Sequence, residues 1–147
     1  MRKIMILATA LLITSGVAFA ANDDDRPIRY DELPAAAKSF IADNFAKEKV
    51  SHTTLDAGII NDEYKVVFQS GTKLEFDAEG NWTELDCRYA AVPNHLVPTE
   101  IADYVKSNYP SSKITELKRE HGEWEAKITG GIELTFDDSF KLVDIDD

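Results

Sequence analysis

Residues 71–82 read GTKLEFDAEGNW, and residues 131–142 read GIELTFDDSFKL. The glycine, the leucine, the phenylalanine and the following aspartate coincide at an offset of 60 without a gap. Further upstream, Leu33, Ala37, Phe40, Ile41 and Phe45 match Val97, Ile101, Tyr104, Val105 and Tyr109 at an offset of 64, with Pro34 answered by Pro98. A chain that states one pattern twice is expected to build one supersecondary unit twice. The four-residue difference in offset belongs in the loop and first strand between helix and hairpin.

The unit itself follows from periodicity. The five apolar positions of each upstream segment recur on one face of a helix, and the proline suits its first turn. The spacing then changes to alternation. Tyr64, Val66 and Phe68 share one side of a strand, as do Trp124, Ala126 and Ile128. Ser70-Gly71 and Gly130-Gly131 supply tight turns. Leu74 and Phe76, like Leu134 and Phe136, then face a core, while Lys73, Glu75, Glu133 and Thr135 point away. A first strand near 50–60 and 113–120 is less regular, because Gly58 interrupts one copy and dense charge the other. One unit of about 55 residues is marginal on burial alone, and pairing two of them covers edges that invite aggregation. The fold expected is α+β: two tandem α-β(3–4) repeats, residues 33–90 and 91–147, with the helices packed on one side of antiparallel sheet.

The N-terminus carries an address. Arg2 and Lys3 precede an apolar run from Ile4, and Ala18-Phe19-Ala20 gives the small-x-small pattern of a signal-peptidase site. The run is broken by Thr9, Thr14, Ser15 and Gly16, which argues against a spanning anchor of about 20 apolar residues. Cleavage after Ala20 is expected, giving a periplasmic or secreted product without membrane insertion. Residues 21–32 are polar and read as a flexible acidic leader.

Charge narrows the partners. Loss of Arg2 and Lys3 leaves 14 basic residues against 27 acidic ones, taking the formal charge from −11 to −13. Such a surface repels nucleic acid and anionic lipid and favours basic partners or cations. Cys87 is the single cysteine, so no intramolecular disulfide is available in an oxidising compartment and a buried, inert thiol is expected.

Catalytic chemistry finds no foothold. His52, His95 and His121 have no metal-ligand spacing, and nucleophile-elbow, zinc-protease, redox-dithiol and phosphate-loop motifs are missing. No catalytic residue, metal ligand or cofactor is assigned. The acids of 23–25 and of Asp144, Asp146 and Asp147 lack the calcium-loop pattern. The fourth strands are more informative. Thr83 and Leu85, matched by Val143 and Ile145, carry no charge and are expected to face the helices. Trp82, Glu84 and Asp86, matched by Leu142, Asp144 and Asp146, are expected to face away, because carboxylates resist unpaired burial. Trp82 beside Leu142, rimmed by Glu84 and Asp144, then has the composition of a recognition patch.

The order of an LP helix, an aromatic-alternating strand, a G-x-x-L-x-F-D strand, a W-x-x-L-D strand and a VP restart resembles the exported PepSY-like proteins, which are also described as beta-lactamase-inhibitor-like. The resemblance extends from about Leu33 to Asp146. It implies helices on one side of an antiparallel sheet, an envelope location and no known catalytic residues. The function expected is a non-enzymatic exported binding module, inhibiting or chaperoning a protein or peptide of the cell envelope through the helix-free sheet face. The alternative is a small-ligand or calcium-binding protein using the acidic C-terminal strand.

Overall fold

The computed structural model describes residues 25–147. The proposed signal peptide and its cleavage site after Ala20 lie outside them. Strand β1 (Asp25–Ile28) is followed by helix α1 (Ala35–Asn44) and strands β2 (Val50–Ala57), β3 (Asp62–Phe68), β4 (Lys73–Phe76) and β5 (Trp82–Asp86). Helix α2 (Thr99–Asn108) and strands β6 (Ile114–Glu120), β7 (Glu123–Ile128), β8 (Glu133–Phe136) and β9 (Leu142–Asp146) complete the chain. The element order after β1, one helix and four strands, occurs twice. The nine strands of the described residues form one continuous antiparallel sheet in chain order. The seam between the halves is the pairing of β5 with β6, where Leu85 opposes Leu117.

Both helices lie on one face. Cross-strand register lines up Thr53, Val66, Leu74, Leu85, Leu117, Ala126, Leu134 and Ile145 in a single row across eight strands. All are buried except Ile145 at the open edge, which is 48% exposed. Against this face α1 sets Phe40 on Phe76 (ring centroids 5.8 Å) and Phe45 on Phe68 (5.8 Å), and α2 sets Tyr104 on Phe136 (5.5 Å). Burying a row of aliphatic and aromatic side chains is the dominant favourable term in folding such a layer.

The helices begin and end alike. Pro34 and Pro98 cap α1 and α2 in extended conformation, and their carbonyls accept the first intrahelical bonds from Lys38 and Ala102. Asn44 and Asn108 close the other ends, each amide donating at 2.9 Å to the carbonyl four residues back. The half-turn after each β4-type strand is also shared. Asp77 accepts from the backbone of Glu79 and Asn81, and Asp137 accepts from that of Ser139 and Lys141.

Residues 25–28 depart from the leader expected for 21–32. They pair with β2 from Asp25 opposite Asp56 to Ile28 opposite Thr53, and the Thr53 hydroxyl donates to the Ile28 carbonyl at 2.6 Å. Charge and Pro27 conceal the strand in the sequence. Proline removes a ladder donor, so it is tolerated at the sheet's edge, where this strand lies.

Candidate functional site

The face without helices carries charge in two rows set by the same register. One row runs Lys65, Glu75, Glu84, Lys118, Glu125, Thr135 and Asp144. The next runs Lys73, Asp86, Glu116, Lys127, Glu133 and Asp146. Each alternate residue of a strand faces this way, so the composition of the face is the polar half of the strand pattern. The carboxylates outnumber the lysines by eight to four.

The densest charge lies on β4, β5 and β6. There Glu75 is directly opposite Glu84, and Asp86 is directly opposite Glu116. Like charges in such positions destabilise a sheet. Lys73 answers the first pair, with its Nζ 3.2 Å from Glu75 and 3.0 Å from Glu84. Burial pulls the Lys73 ammonium down, but its bonds and attraction to Glu84 and Glu75 outweigh this and raise it overall. Burial pushes the Glu75 carboxyl up, with Glu63 adding to the effect and Lys73 opposing it. Glu116 is also pushed up, by burial first and then by the charge of Glu84, against Lys127 at 3.9 Å.

This sets a sign for pH dependence. A carboxyl raised in the folded state favours folding when protonated, below the ordinary glutamate range, and that contribution is lost as pH rises through its folded-state value. Glu116→Gln should therefore raise stability at neutral pH by about 0.2–1 kcal/mol. The gain should vanish once the pH falls below the ordinary glutamate range. Denaturant midpoints of both proteins at several pH values check this, and a neutral-pH loss would contradict it.

The four residues of the expected recognition patch do not share a face. Glu84 and Asp144 lie on the helix-free side, opposite Glu75 and Thr135. Trp82 and Leu142 do not: Trp82 pairs with Phe76 and Leu142 with Phe136, on the helix side. The reason is a register shift in each half. Glu75 pairs with Glu84 while Phe76 pairs with Trp82, leaving Thr83 as an extra residue, and Val143 is extra in the same way. Such a bulge re-aims the side chain beyond it. Thr83 and Val143, expected to face the helices, are the bulged residues, and Val143 is 52% exposed. Leu85 keeps its expected burial.

Trp82 is consequently core, at 9% exposure. It lies 6.3 Å from Phe40 and 6.0 Å from Trp124 between ring centroids. The Arg119 guanidinium covers its ring at 4.1 Å and donates from Nε to the Trp82 carbonyl at 2.9 Å. The spacing of WTELD and LVDID carries the signal for this arrangement. Trp82 and Leu85, like Leu142 and Ile145, stand three residues apart, whereas an unbroken strand would place its inward residues two apart.

Cys87 is buried, and burial followed by the charges of Asp86 and Glu48 pushes its thiol up to about 11. A thiol so placed is not a nucleophile at neutral pH. No helix among the described residues is long and apolar enough to cross a membrane.

A single antiparallel sheet with two helices on one face and an acid-rich, open second face defines an α+β module of the beta-lactamase-inhibitor-like class. The profile of the family described as "Putative beta-lactamase-inhibitor-like, PepSY-like" matches residues 62–144, and the chain belongs to that family. Solved structures agree. A "putative periplasmic protein" of the DUF2874 family from Bacteroides vulgatus ATCC 8482 is 41% identical, with a TM-score of 0.81 over 85% of this chain and 98% of that one. A "putative calcium-regulated periplasmic protein" from Bacteroides thetaiotaomicron is 38% identical, with a TM-score of 0.82 over 86% of this chain and 99% of that one. A third, a "putative periplasmic protein of unknown function" from Bacteroides vulgatus ATCC 8482, is 30% identical with a TM-score of 0.80 over 84% of this chain and 99% of that one. No curated protein matches the chain.

Proposed function

We propose that this chain is a periplasmic, non-enzymatic binding module that takes a basic protein or peptide segment on the helix-free face of its sheet, as an inhibitor or chaperone of an envelope protein. The two charged rows carry this reading. Their excess of carboxylates holds like charges opposite one another at Glu75–Glu84 and Asp86–Glu116, and a cationic segment laid across the strands relieves that repulsion. Charge complementarity of this kind steers association and excludes acidic competitors. The periplasmic descriptions of three solved relatives support the location. Asp144 is the exposed contact of this face, Glu84 is a buried charge held by Lys73 within it, and Trp82 and Leu142 act from beneath it as supports.

Calorimetric titration with a C-terminally amidated oligolysine peptide tests the reading. Binding is expected to weaken about tenfold or more when Glu125→Lys and Asp144→Lys are combined, since each removes an attraction and adds a repulsion. The exposed helix acids provide the control: Asp43→Lys with Asp103→Lys changes the net charge equally and should leave the affinity close to that of the parent. Equal losses in both double variants would reduce the interaction to net charge and remove the face from the proposal.

A second reading is calcium binding, favoured by the description of the Bacteroides thetaiotaomicron relative as calcium-regulated. Among the described residues no three His, Cys, Asp or Glu side chains are grouped to hold a metal, so a site would require rearrangement of the facing carboxylates. Titration with calcium in the same calorimeter separates the two readings. A stoichiometric heat abolished by Asp86→Asn with Glu116→Gln would favour the cation.

A further inference from the structure

The two tryptophans of the chain lie in different halves, yet both line one pocket of about 440 Å³ on the helix side of the sheet, at the seam between β5 and β6. Arg119 lies between them. Its guanidinium is 4.1 Å from the centre of the Trp82 ring and 5.9 Å from that of Trp124. Burial lowers its basicity, against the charge of Asp77. In a chain with so large an excess of acids, the guanidinium forms no ion pair among the described residues, and its one hydrogen bond runs from Nε to the Trp82 carbonyl. Among the described residues no buried side-chain nitrogen or oxygen lacks a partner, so the two terminal nitrogens of Arg119, which have none, are open to solvent. They form an open fork above the Trp82 indole, of the kind that accepts a carboxylate through two parallel bonds.

The rim is of opposite charge. Asp77, Glu120, Glu123 and Asp138 line the same pocket. Asp77 is engaged by the turn backbone and Asn81, and Glu120 pairs with Lys118 at 3.2 Å. Glu123 and Asp138 are exposed and, among the described residues, form no ion pair. A multiply charged anion such as phosphate meets four carboxylates around one guanidinium and is repelled. A simple cation meets Arg119 at the floor. The ligand that satisfies floor and rim together carries a carboxylate with a positive group beside it. The volume lies in the range of small-ligand sites.

We propose that this pocket binds the α-carboxylate of a basic amino acid or of a peptide ending in one, with the carboxylate on the Arg119 fork and the basic side chain directed to Glu123 and Asp138. The floor of the site, Arg119 with the two tryptophans, lies on the helix side of the sheet, and the proposal stands or falls with that fork rather than with the acidic rows. The third wall is Trp124, itself backed by Phe140 at 5.9 Å, so the floor is fixed by packing before a ligand arrives.

Intrinsic fluorescence reads this pocket directly, because the chain has no tryptophan elsewhere. Titration of the full exported protein with Gly-Gly-Arg should give a saturable change in emission. The amidated peptide Gly-Gly-Arg-NH₂ and the variant Arg119→Met should each bind about tenfold or more weakly, as expected for a lost charge-assisted bond. Glu123→Gln with Asp138→Asn, both at exposed positions, should reduce the preference for Gly-Gly-Arg over Gly-Gly-Ala several-fold. Free arginine distinguishes the two sources: an equal response assigns the site to amino acids, and a weaker one to peptide ends. Because Arg119 also packs on Trp82, the amide comparison on the parent protein keeps the test valid if Arg119→Met folds poorly. No saturable response, equal binding of the amide, or equal binding of inorganic phosphate would overturn the assignment.

Discussion

Trp82→Ala should lower the free energy of unfolding by about 3–5 kcal/mol, the cost of truncating a buried tryptophan. The alternation of the sequence points the other way: with Trp82 grouped beside Glu84 and Asp86, the substitution would be nearly neutral for folding. The two expectations differ by a large fraction of the stability of a small domain, which is about 5–15 kcal/mol. The structure decides between them through contacts. Removal of the indole empties a space bounded by Phe40, Trp124 and Arg119, and it leaves the guanidinium without the ring on which it lies. Trp124, which is partly exposed, should cost less on truncation. Urea unfolding of the two variants ranks them, and a midpoint for Trp82→Ala equal to that of the parent would place the side chain outside the core.

Gly80→Ala should cost about 2–4 kcal/mol, combining left-handed backbone strain with overpacking. Gly80 has φ of +88°, and a Cβ there would come within 2.8 Å of the Ala37 nitrogen and of the Pro34 Cβ, at the start of α1. Gly122 makes the control. Its φ is +82°, but nothing lies within 4 Å of the added carbon, so Gly122→Ala should carry only the backbone strain of about 1–2 kcal/mol. Thermal melts of both variants separate the close approach from the dihedral. The other half shows that the dihedral alone is survivable. The turn residue Phe140, which aligns with Gly80 at the offset of 60, adopts φ of +61° and rests on Trp124.

The helices, their buried faces and the placement on one side of an antiparallel sheet were legible because period and proline position are local properties. Leu33, Ala37, Ile41 and Phe45 are buried as their spacing requires, and so are Val97, Ile101 and Val105. The facing of the fourth strands is not legible in this way, because the alternation is broken at Thr83 and Val143. One extra residue inverts every assignment before it. The two halves carry the same bulge and agree with each other, so the repeat holds no signal of it. The Arg119 pocket was illegible for another reason. Arg119 and Trp124 belong to one hairpin and Trp82 to the other half, and only the β5–β6 seam brings them together.

The chain-order arrangement of the sheet bears on how the molecule is reached from its unfolded state. Six of its eight strand pairings join consecutive strands through short turns, and each can form before the rest of the chain has been organised. Two others, β1 with β2 and β5 with β6, enclose a helix and must close a longer loop. Nucleation through local hairpins is fast, whereas loop closure without compensating contacts carries an entropy cost that slows the search. The slow events of folding should thereby concentrate where α1 and α2 dock, with closure of residues 87–113 setting the pace at which the two hairpin sets become one sheet.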